Sequence, residues 1–142
     1  MARWQFNLYP AYRGTGAWVE YIASDWRKVR VCLPLSWQTR NIVGTIFGGS
    51  IYAAVDPFYM IMLMRNLGPA YTVWDKAAQL RFKRPGKSKL SAHFVLEEAE
   101  LQAVRTALET QESIDRVYHI DLLDQSGEVV AWVEKTIYIA KN

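Results

Sequence analysis

A helical segment that is apolar on almost every face is the feature that most constrains the fold of this 142-residue chain. From about Ser50 to Asn66, apolar residues recur at helical spacing, among them Ile51, Ala54, Val55, Phe58 and Met62. A helix of this kind has to be buried, so the rest of the chain must enclose it. Gly68-Pro69 ends the segment. Pro57 is expected to kink it, because its missing N–H frees the carbonyl of Ala53.

Strand patterns lie on both sides of this helix. Period-two alternation, clearest where Val29, Val31 and Leu33 alternate with polar residues, predicts strands over 18–23, 29–35, 73–82, 89–96, 117–123 and 129–139. A short amphipathic helix is predicted over 97–111, and the first dozen residues form an apolar lead-in that should pack on the body. About six strands around one long buried helix indicate the α+β class, with an antiparallel sheet curled around the helix. That is the hotdog architecture.

Length, charge and cysteine content exclude several classes of protein. At 142 residues, one domain spanning 1–142 is expected. The net charge is only +3, and the basic residues are scattered among 14 acidic ones, which argues against a nucleic-acid partner. The single cysteine, Cys32, rules out an intrachain disulfide and disfavours structural zinc, so no metal site is expected. No apolar run reaches the roughly 20 residues of a membrane span and no leader is recognisable, so a cytoplasmic protein is expected.

The residues that carry chemistry lie between Asn41 and Asp56. Gly48 and Gly49 open the helix, where unpaired N–H groups at the positive end of the dipole can polarise a carbonyl. Asp56 follows about two turns later in apolar surroundings, where a carboxylate needs a partner or a chemical role. One interpretation is a hydrolytic site. The other is a tight glycine turn, with Asn41 as a loop cap and Asp56 paired with a buried Lys or Arg.

A family resemblance extends over essentially the whole chain. The spacing of Asn41, Gly44-Thr45, Gly48-Gly49 and Asp56 is similar to that of hotdog thioesterases related to phenylacetyl-CoA thioesterase. Further segments resemble a poorly characterised branch of that superfamily, namely residues 44–59, 73–78, 82–86, 127–131 and 134–136.

The resemblance implies a role for each residue of the segment. The N–H of Gly48 would bind the thioester carbonyl, Asp56 would act as general base or nucleophile, and Asn41 would orient the water or the substrate. Asp75 falls roughly where some relatives have a Ser or Thr that assists the water. Phe47 stands where many relatives have His before the glycine pair. These two departures weaken the case for efficient catalysis more than the case for binding.

Substrate contacts and assembly are implied in the same way. Gly49 and Phe47 would lie at the pocket mouth, and the basic residues Lys83, Arg84 and Lys87 would hold the phosphates of coenzyme A; a solvated loop is the alternative for this basic cluster. Phe58 would line an acyl pocket or pack in the core. The pocket of such proteins forms between subunits, so a homodimer or a tetramer (a dimer of dimers) is expected. Coenzyme A enters as part of the substrate, and no cofactor is expected.

Three functions follow from these features. The first is hydrolysis of an acyl-CoA or an acyl carrier protein thioester, with Asp56 as base and the Gly48 N–H as oxyanion donor. The alternative is a non-catalytic acyl-CoA or fatty-acyl binding protein, which Phe47 and Asp75 favour. A purely structural oligomerisation domain is the third. A serine hydrolase is disfavoured because the G-x-S-x-G elbow is absent.

Overall fold

Six strands and five helices follow one another along residues 2–142, the part of the chain that the computed structural model describes. In chain order they are α1 (Arg3–Leu8), α2 (Pro10–Arg13), β1 (Trp18–Ile22), β2 (Lys28–Leu33), α3 (Gly48–Val55), α4 (Phe58–Leu67), β3 (Tyr71–Phe82), β4 (Leu90–Val95), α5 (Glu98–Ala107), β5 (Ser113–Leu123) and β6 (Val129–Lys141). This order agrees with the predicted one. The apolar lead-in forms the two short helices α1 and α2, which place Phe6 and Tyr12 in the core.

The strands form one antiparallel sheet in the order β1-β2-β4-β5-β6-β3. The alternation predicted for β2 is confirmed, since Val29, Val31 and Leu33 face the core. Between β5 and β6, the Asp124 N–H donates to the Glu128 carbonyl at 2.9 Å. The sheet curves around α3 and α4, whose residues contact strands from β2 to β3. The fold is therefore the hotdog fold.

The predicted long helix is confirmed only approximately, because it forms as two helices that meet at Asp56-Pro57. The Asp56 N–H donates to the Tyr52 carbonyl at 3.1 Å and closes α3, and the Pro57 carbonyl accepts from Ile61 at 3.1 Å in the first turn of α4. Pro57 has no N–H to continue the first helix, so the chain breaks where a kink was expected. Within residues 2–142, no helix is long and apolar enough to cross a membrane.

Next to the break, the first residue of α4 packs among aromatic side chains in the core. The Phe58 ring is fully buried, with ring centroids at 5.4 Å from Phe6, 5.4 Å from Tyr12 and 5.1 Å from Phe94. The Tyr12 hydroxyl donates to the carbonyl of Ala54 at 2.7 Å, which ties α2 to the last turn of α3. Phe58 therefore packs in the core, which is one of the two roles considered for it, and a contact with an acyl group stays a prediction.

Strand β3 lies at the edge of the sheet and is largely exposed. It pairs with β6 from Tyr71 opposite Lys141 to Phe82 opposite Ala131. Only Val73 is buried, whereas Phe82 is 53% exposed and the six residues from Trp74 to Gln79 are all exposed. The other edge of β3 carries backbone donors and acceptors available to a further strand.

Replacing Phe58 by Ala is expected to destabilise the fold by about 3–5 kcal/mol, because the deletion leaves a cavity among three aromatic neighbours. Urea unfolding followed by circular dichroism measures the change in unfolding free energy. Trp37→Ala is the matched control: its side chain is 83% exposed, so its loss is expected to stay within about 0.5 kcal/mol. Equal unfolding midpoints for the two variants would contradict the core position of Phe58.

Candidate active site

One cleft of about 490 Å³, here called the glycine cleft, opens at the start of α3. Helix α3 begins at Gly48 after Phe47, and the first N–H groups of a helix have no partner within it. A Cβ on Gly48 would stand 2.9 Å from Cζ of Phe82, so glycine allows this ring to lie directly over the backbone. The cleft is lined by Asn41, Thr45, Ile46, Gly48, Ile51, Phe82, Lys83, Arg84, Pro85 and Gly86.

Asn41 reaches this cleft but uses its side chain to hold its own loop. Its Oδ1 accepts the N–H groups of Val43 at 3.1 Å and Thr45 at 3.0 Å, and its Nδ2 donates to Thr45 Oγ1 at 2.9 Å. Gly44, at a φ of +86°, provides the left-handed turn that this loop needs. The structure thus brings Asn41 and Gly48 together and gives Asn41 the geometry of a loop cap. Orientation of a water by Asn41 stays a prediction.

The basic residues divide between the cleft and its surroundings. Lys83 and Arg84 line the glycine cleft, and Arg84 is ion-paired with Glu128. Lys87 is exposed just beyond the Pro85-Gly86 turn and is not a lining residue. At the other side of the helix start, the Phe47 ring covers Gly49: a Cβ there would stand 2.6 Å from Cε2 of Phe47, and the Phe47 side chain is 57% exposed.

Asp56 is bound by a lysine that comes from strand β6. Lys135 is 1% exposed, and its Nζ donates to Asp56 Oδ1 at 2.7 Å and to the Asp56 carbonyl at 3.1 Å. The Tyr52 hydroxyl, one turn earlier on α3, donates to the same Oδ1 at 2.9 Å and accepts from Lys135 Nζ at 3.0 Å. Both side-chain contacts use Oδ1, so Oδ2 lies outside this network of the described residues. The alternative that Asp56 pairs with a buried Lys or Arg is therefore confirmed.

Asp75 shares the same lysine, with its Oδ1 3.1 Å from Lys135 Nζ. The Asp75 side chain is 29% exposed although the residue as a whole lies on the exposed strand, and this partial burial raises the pKa of its carboxyl; Lys135 opposes the rise, and the Asp56 charge adds to it. Burial alone would lower the pKa of Lys135, but the contacts with Asp56, Tyr52 and Asp75 outweigh it, and this pKa is raised. Two carboxylates and one ammonium thus form a coupled group, from here on called the Lys135 cluster (Tyr52, Asp56, Asp75 and Lys135).

Lys135 and Tyr52 were not identified as site residues from the sequence. A signal for Lys135 was present: it falls in the same alternating row as Ala131, Val133, Ile137 and Ile139, all of which face the core. A lysine in the inward-facing row of a strand requires a buried acceptor. Tyr52, in the middle of an apolar helix, carried no comparable signal.

Asp56 opens on a second cleft, separate from the one at Gly48. This carboxylate cleft, of about 400 Å³, lies between the N-terminal helices and the helix break, and it is lined by Phe6, Tyr9, Ala11, Tyr12, Thr15, Ala53, Asp56, Pro57 and Ile61. Gly48 and Asp56 are eight residues apart on one helix, which separates their backbones by about 12 Å along its axis. The structure places the predicted oxyanion donor and the predicted base on different clefts of one chain.

Asp75→Asn is expected to raise stability at neutral pH. Since the pKa of Asp75 is raised in the folded state, its ionised form disfavours folding, and the amide removes that cost. The gain should disappear as the pH falls below the ordinary carboxyl range of about 3.9, where the wild-type group is protonated whether folded or unfolded. Urea midpoints at pH 7 and pH 3 test this.

Asp124→Asn provides a control of opposite sign. Hydrogen bonds from Ser126 and from the backbone of Glu128 lower the pKa of Asp124, so its amide variant should lose stability at neutral pH and approach the wild type in acid. A destabilised Asp75→Asn at pH 7 would show that its contact with Lys135 outweighs the effect of burial.

Comparison with solved structures shows the same fold in several bacterial proteins. A Pseudomonas aeruginosa protein of unknown function described as a probable thioesterase, PA5026, superposes with a TM-score of 0.84 at 19% identity, over 99% of this chain and 93% of that one. The thioesterase HI1161 of Haemophilus influenzae gives 0.69 at 16% identity, over 96% and 87%. A variant of thioesterase PA1618 from P. aeruginosa gives 0.71 at 13% identity, over 100% and 96%.

At these identities the likeness shows the fold. No curated protein matches the chain significantly. A family model does match, over residues 2–139, and it is described as a domain of unknown function, DUF4442. That match covers nearly the whole chain, and the protein therefore belongs to the DUF4442 family.

Proposed function

We propose that this protein hydrolyses the thioester of an acyl-CoA or an acyl carrier protein. The observation that carries the proposal is the pair of groups on one buried helix of a hotdog fold: the free N–H end at Gly48 and the half-exposed carboxylate of Asp56 at the break. Two solved structures with this fold are described as thioesterases, which supports the same class of reaction here.

In the proposed reaction, Asp56 removes a proton from a water molecule, and the water oxygen attacks the thioester carbonyl carbon. The carbonyl oxygen becomes negative and accepts a hydrogen bond from the Gly48 N–H, which the helix dipole strengthens. The tetrahedral intermediate then collapses, the C–S bond breaks, and the leaving thiolate takes up the proton from Asp56, which returns the carboxylate to its ionised form. Asp56 Oδ2 is the oxygen that takes the proton, because Oδ1 already accepts from Lys135 and Tyr52.

The two clefts fit the two ends of such a substrate. Lys83 and Arg84 line the glycine cleft, where they would bind the phosphates of coenzyme A, Arg84 by exchanging its ion pair with Glu128 for a phosphate. The carboxylate cleft suits an apolar acyl group, because most of its lining is apolar and two of its hydroxyls are already engaged: the Tyr12 hydroxyl donates to the Ala54 carbonyl, and Thr15 Oγ1 donates to the Tyr12 carbonyl at 2.7 Å. What remains for a ligand is a largely apolar wall ending at Asp56.

A complete site of this kind requires a second copy of the chain. Gly48 and Asp56 of one chain open on different clefts, so the thioester would have to lie between Gly48 of one copy and Asp56 of another. The exposed edge strand β3 offers a surface for such pairing. We therefore propose a homodimer, or a tetramer built from two dimers, as the active form.

Asp56→Asn is expected to lower kcat for acyl-CoA hydrolysis by about 10²–10⁴-fold, the usual contribution of a general base. Thiol release from purified protein, measured across aryl and aliphatic acyl-CoAs, tests this. Asp121→Asn is the control, since this carboxylate is exposed on β5 and contacts only the neighbouring His119 in the described part of the chain. If Asp56→Asn turns over as fast as the wild type, Asp56 has no catalytic role.

Mixing two impaired variants tests the shared site. Gly48→Ala places a methyl group against the outer end of the Phe82 ring, so it should fold while obstructing the oxyanion position. In a random mixture with Asp56→Asn, half of the dimers are mixed, and each has one intact composite site, so roughly a quarter of wild-type activity should return. No recovery after subunit exchange would show that both groups act within one subunit.

One observation favours the binding-only alternative: the Asp56 charge is already balanced by Lys135. A carboxylate satisfied in this way can be a structural partner in a protein that holds acyl-CoA without cleaving it. Titration calorimetry with a non-hydrolysable acyl-CoA, alongside the turnover assay, separates the two functions. Saturable binding without turnover of any acyl-CoA would support the alternative.

A further inference from the structure

We propose that Lys135 is a positioning residue that fixes Oδ1 of Asp56 and so presents Oδ2 to the carboxylate cleft. This inference rests on the proposed hydrolase function. Lys135 itself lies in the inward-facing row of β6 and would not touch the substrate. It would act through Asp56, with Tyr52 as the second donor to the same oxygen.

The contacts of Lys135 fix both the side chain and the backbone of Asp56. Its Nζ lies 2.7 Å from Oδ1 and 3.1 Å from the Asp56 carbonyl, so one ammonium spans the residue at the point where α3 ends. The Tyr52 hydroxyl is a second donor, 2.9 Å from the same Oδ1; it comes from α3, whereas Lys135 comes from β6. Two donors on one oxygen restrict rotation of the carboxylate. Catalytic groups work only when they are held close to the productive geometry.

The difference in exposure between the partners distinguishes this arrangement from an ordinary ion pair. The Lys135 side chain is 2% exposed, whereas the Asp56 side chain is 46% exposed. Burying a lysine is costly, and a buried ion pair is weak evidence for stability in itself. Here the cation is withdrawn from solvent, whereas Asp56 is half-exposed and lines the carboxylate cleft. That is the disposition expected when the cation serves to hold the carboxylate.

The charged and titratable groups that face Lys135 come from three elements. Tyr52 and Asp56 belong to α3 and its C-terminal end, and Asp75 belongs to β3. From β5, Tyr118 stands opposite Lys135 in the strand register, but its hydroxyl is bound to Glu100. Lys135 is therefore the single cation among two carboxylates within the cluster. Its removal would leave both carboxylates without a compensating charge.

Lys135→Met is the principal test, because methionine keeps most of the length of the side chain and removes the charge. In steady-state acyl-CoA hydrolysis we expect kcat to fall by at least about tenfold while KM stays within about twofold, as for a group that acts in the transition state. In an Asp56→Asn background, Lys135→Met should cause no further loss.

Two further variants keep the test decisive. Lys28→Met is the matched control, since it removes an exposed lysine from β2, away from the edge strand β3 and from both clefts, and its kinetics should equal those of the wild type. Tyr52→Phe removes one donor to Oδ1 without leaving a buried charge unpaired. It should lower kcat in the same sense as Lys135→Met but less, and it decides the question if circular dichroism shows that Lys135→Met does not fold.

The outcomes separate the two proposals. If the wild type hydrolyses thioesters and both folded variants retain its kcat, the positioning role is overturned and the hydrolase function stands. The positioning role is likewise overturned if Lys135→Met lowers kcat by the same factor in the wild-type and in the Asp56→Asn background. If the wild type hydrolyses no thioester, both proposals fail together.

Discussion

Burial of the broken central helix is the constraint on which the rest of the structure depends. Phe58, Met62 and Leu63 are completely excluded from solvent, and each contributes about 1.5–3 kcal/mol on burial. Because α3 and α4 are apolar on nearly every side, the sheet has to curve around them and the N-terminal helices have to close the remaining face. Backbone hydrogen bonding of the central helix is interrupted in this core at Asp56-Pro57. Polar groups gather there for that reason.

The Lys135 cluster follows directly from that interruption. A carbonyl at a helix end needs a donor, and the Asp56 carbonyl receives one from Lys135. The same ammonium compensates the Asp56 carboxylate and contacts Asp75, so a single side chain from β6 links the helix break to the edge strand β3. The Lys135 cluster thus joins α3, β3 and β6, three elements that are distant in sequence. The cost of an uncompensated charge makes the arrangement specific, since no apolar side chain could replace Lys135 without leaving carboxylates unpaired.

Local patterns were sufficient to predict the fold. Alternation in β2 and β6 and the apolar period of the central helix each depend on a few neighbouring residues, and these elements formed as expected apart from the break at Pro57. The pairing of Lys135 with Asp56 is different, because the two residues are 79 positions apart and no spacing rule connects them. Lys135 in an inward-facing row indicated a buried acceptor but could not say which one. The packing of the Phe58 ring could not be predicted for the same reason. Its neighbours Phe6 and Tyr12 come from α1 and α2, and in the sequence that segment is recognisable only as an apolar lead-in.

The geometry of a helix also limits what one chain can do at this site. Gly48 begins α3 and Asp56 follows its last residue, so their separation of about 12 Å is set by the helical rise and not by side-chain rotamers. A water activated at Asp56 therefore cannot attack a carbonyl held by the Gly48 N–H of the same chain without unwinding α3. Unwinding would expose Ile51, Ala54 and Val55, which are buried on that helix. In the proposed hydrolase, a site that uses both groups would consequently have to be assembled from two chains, because α3 holds the two groups of one chain apart.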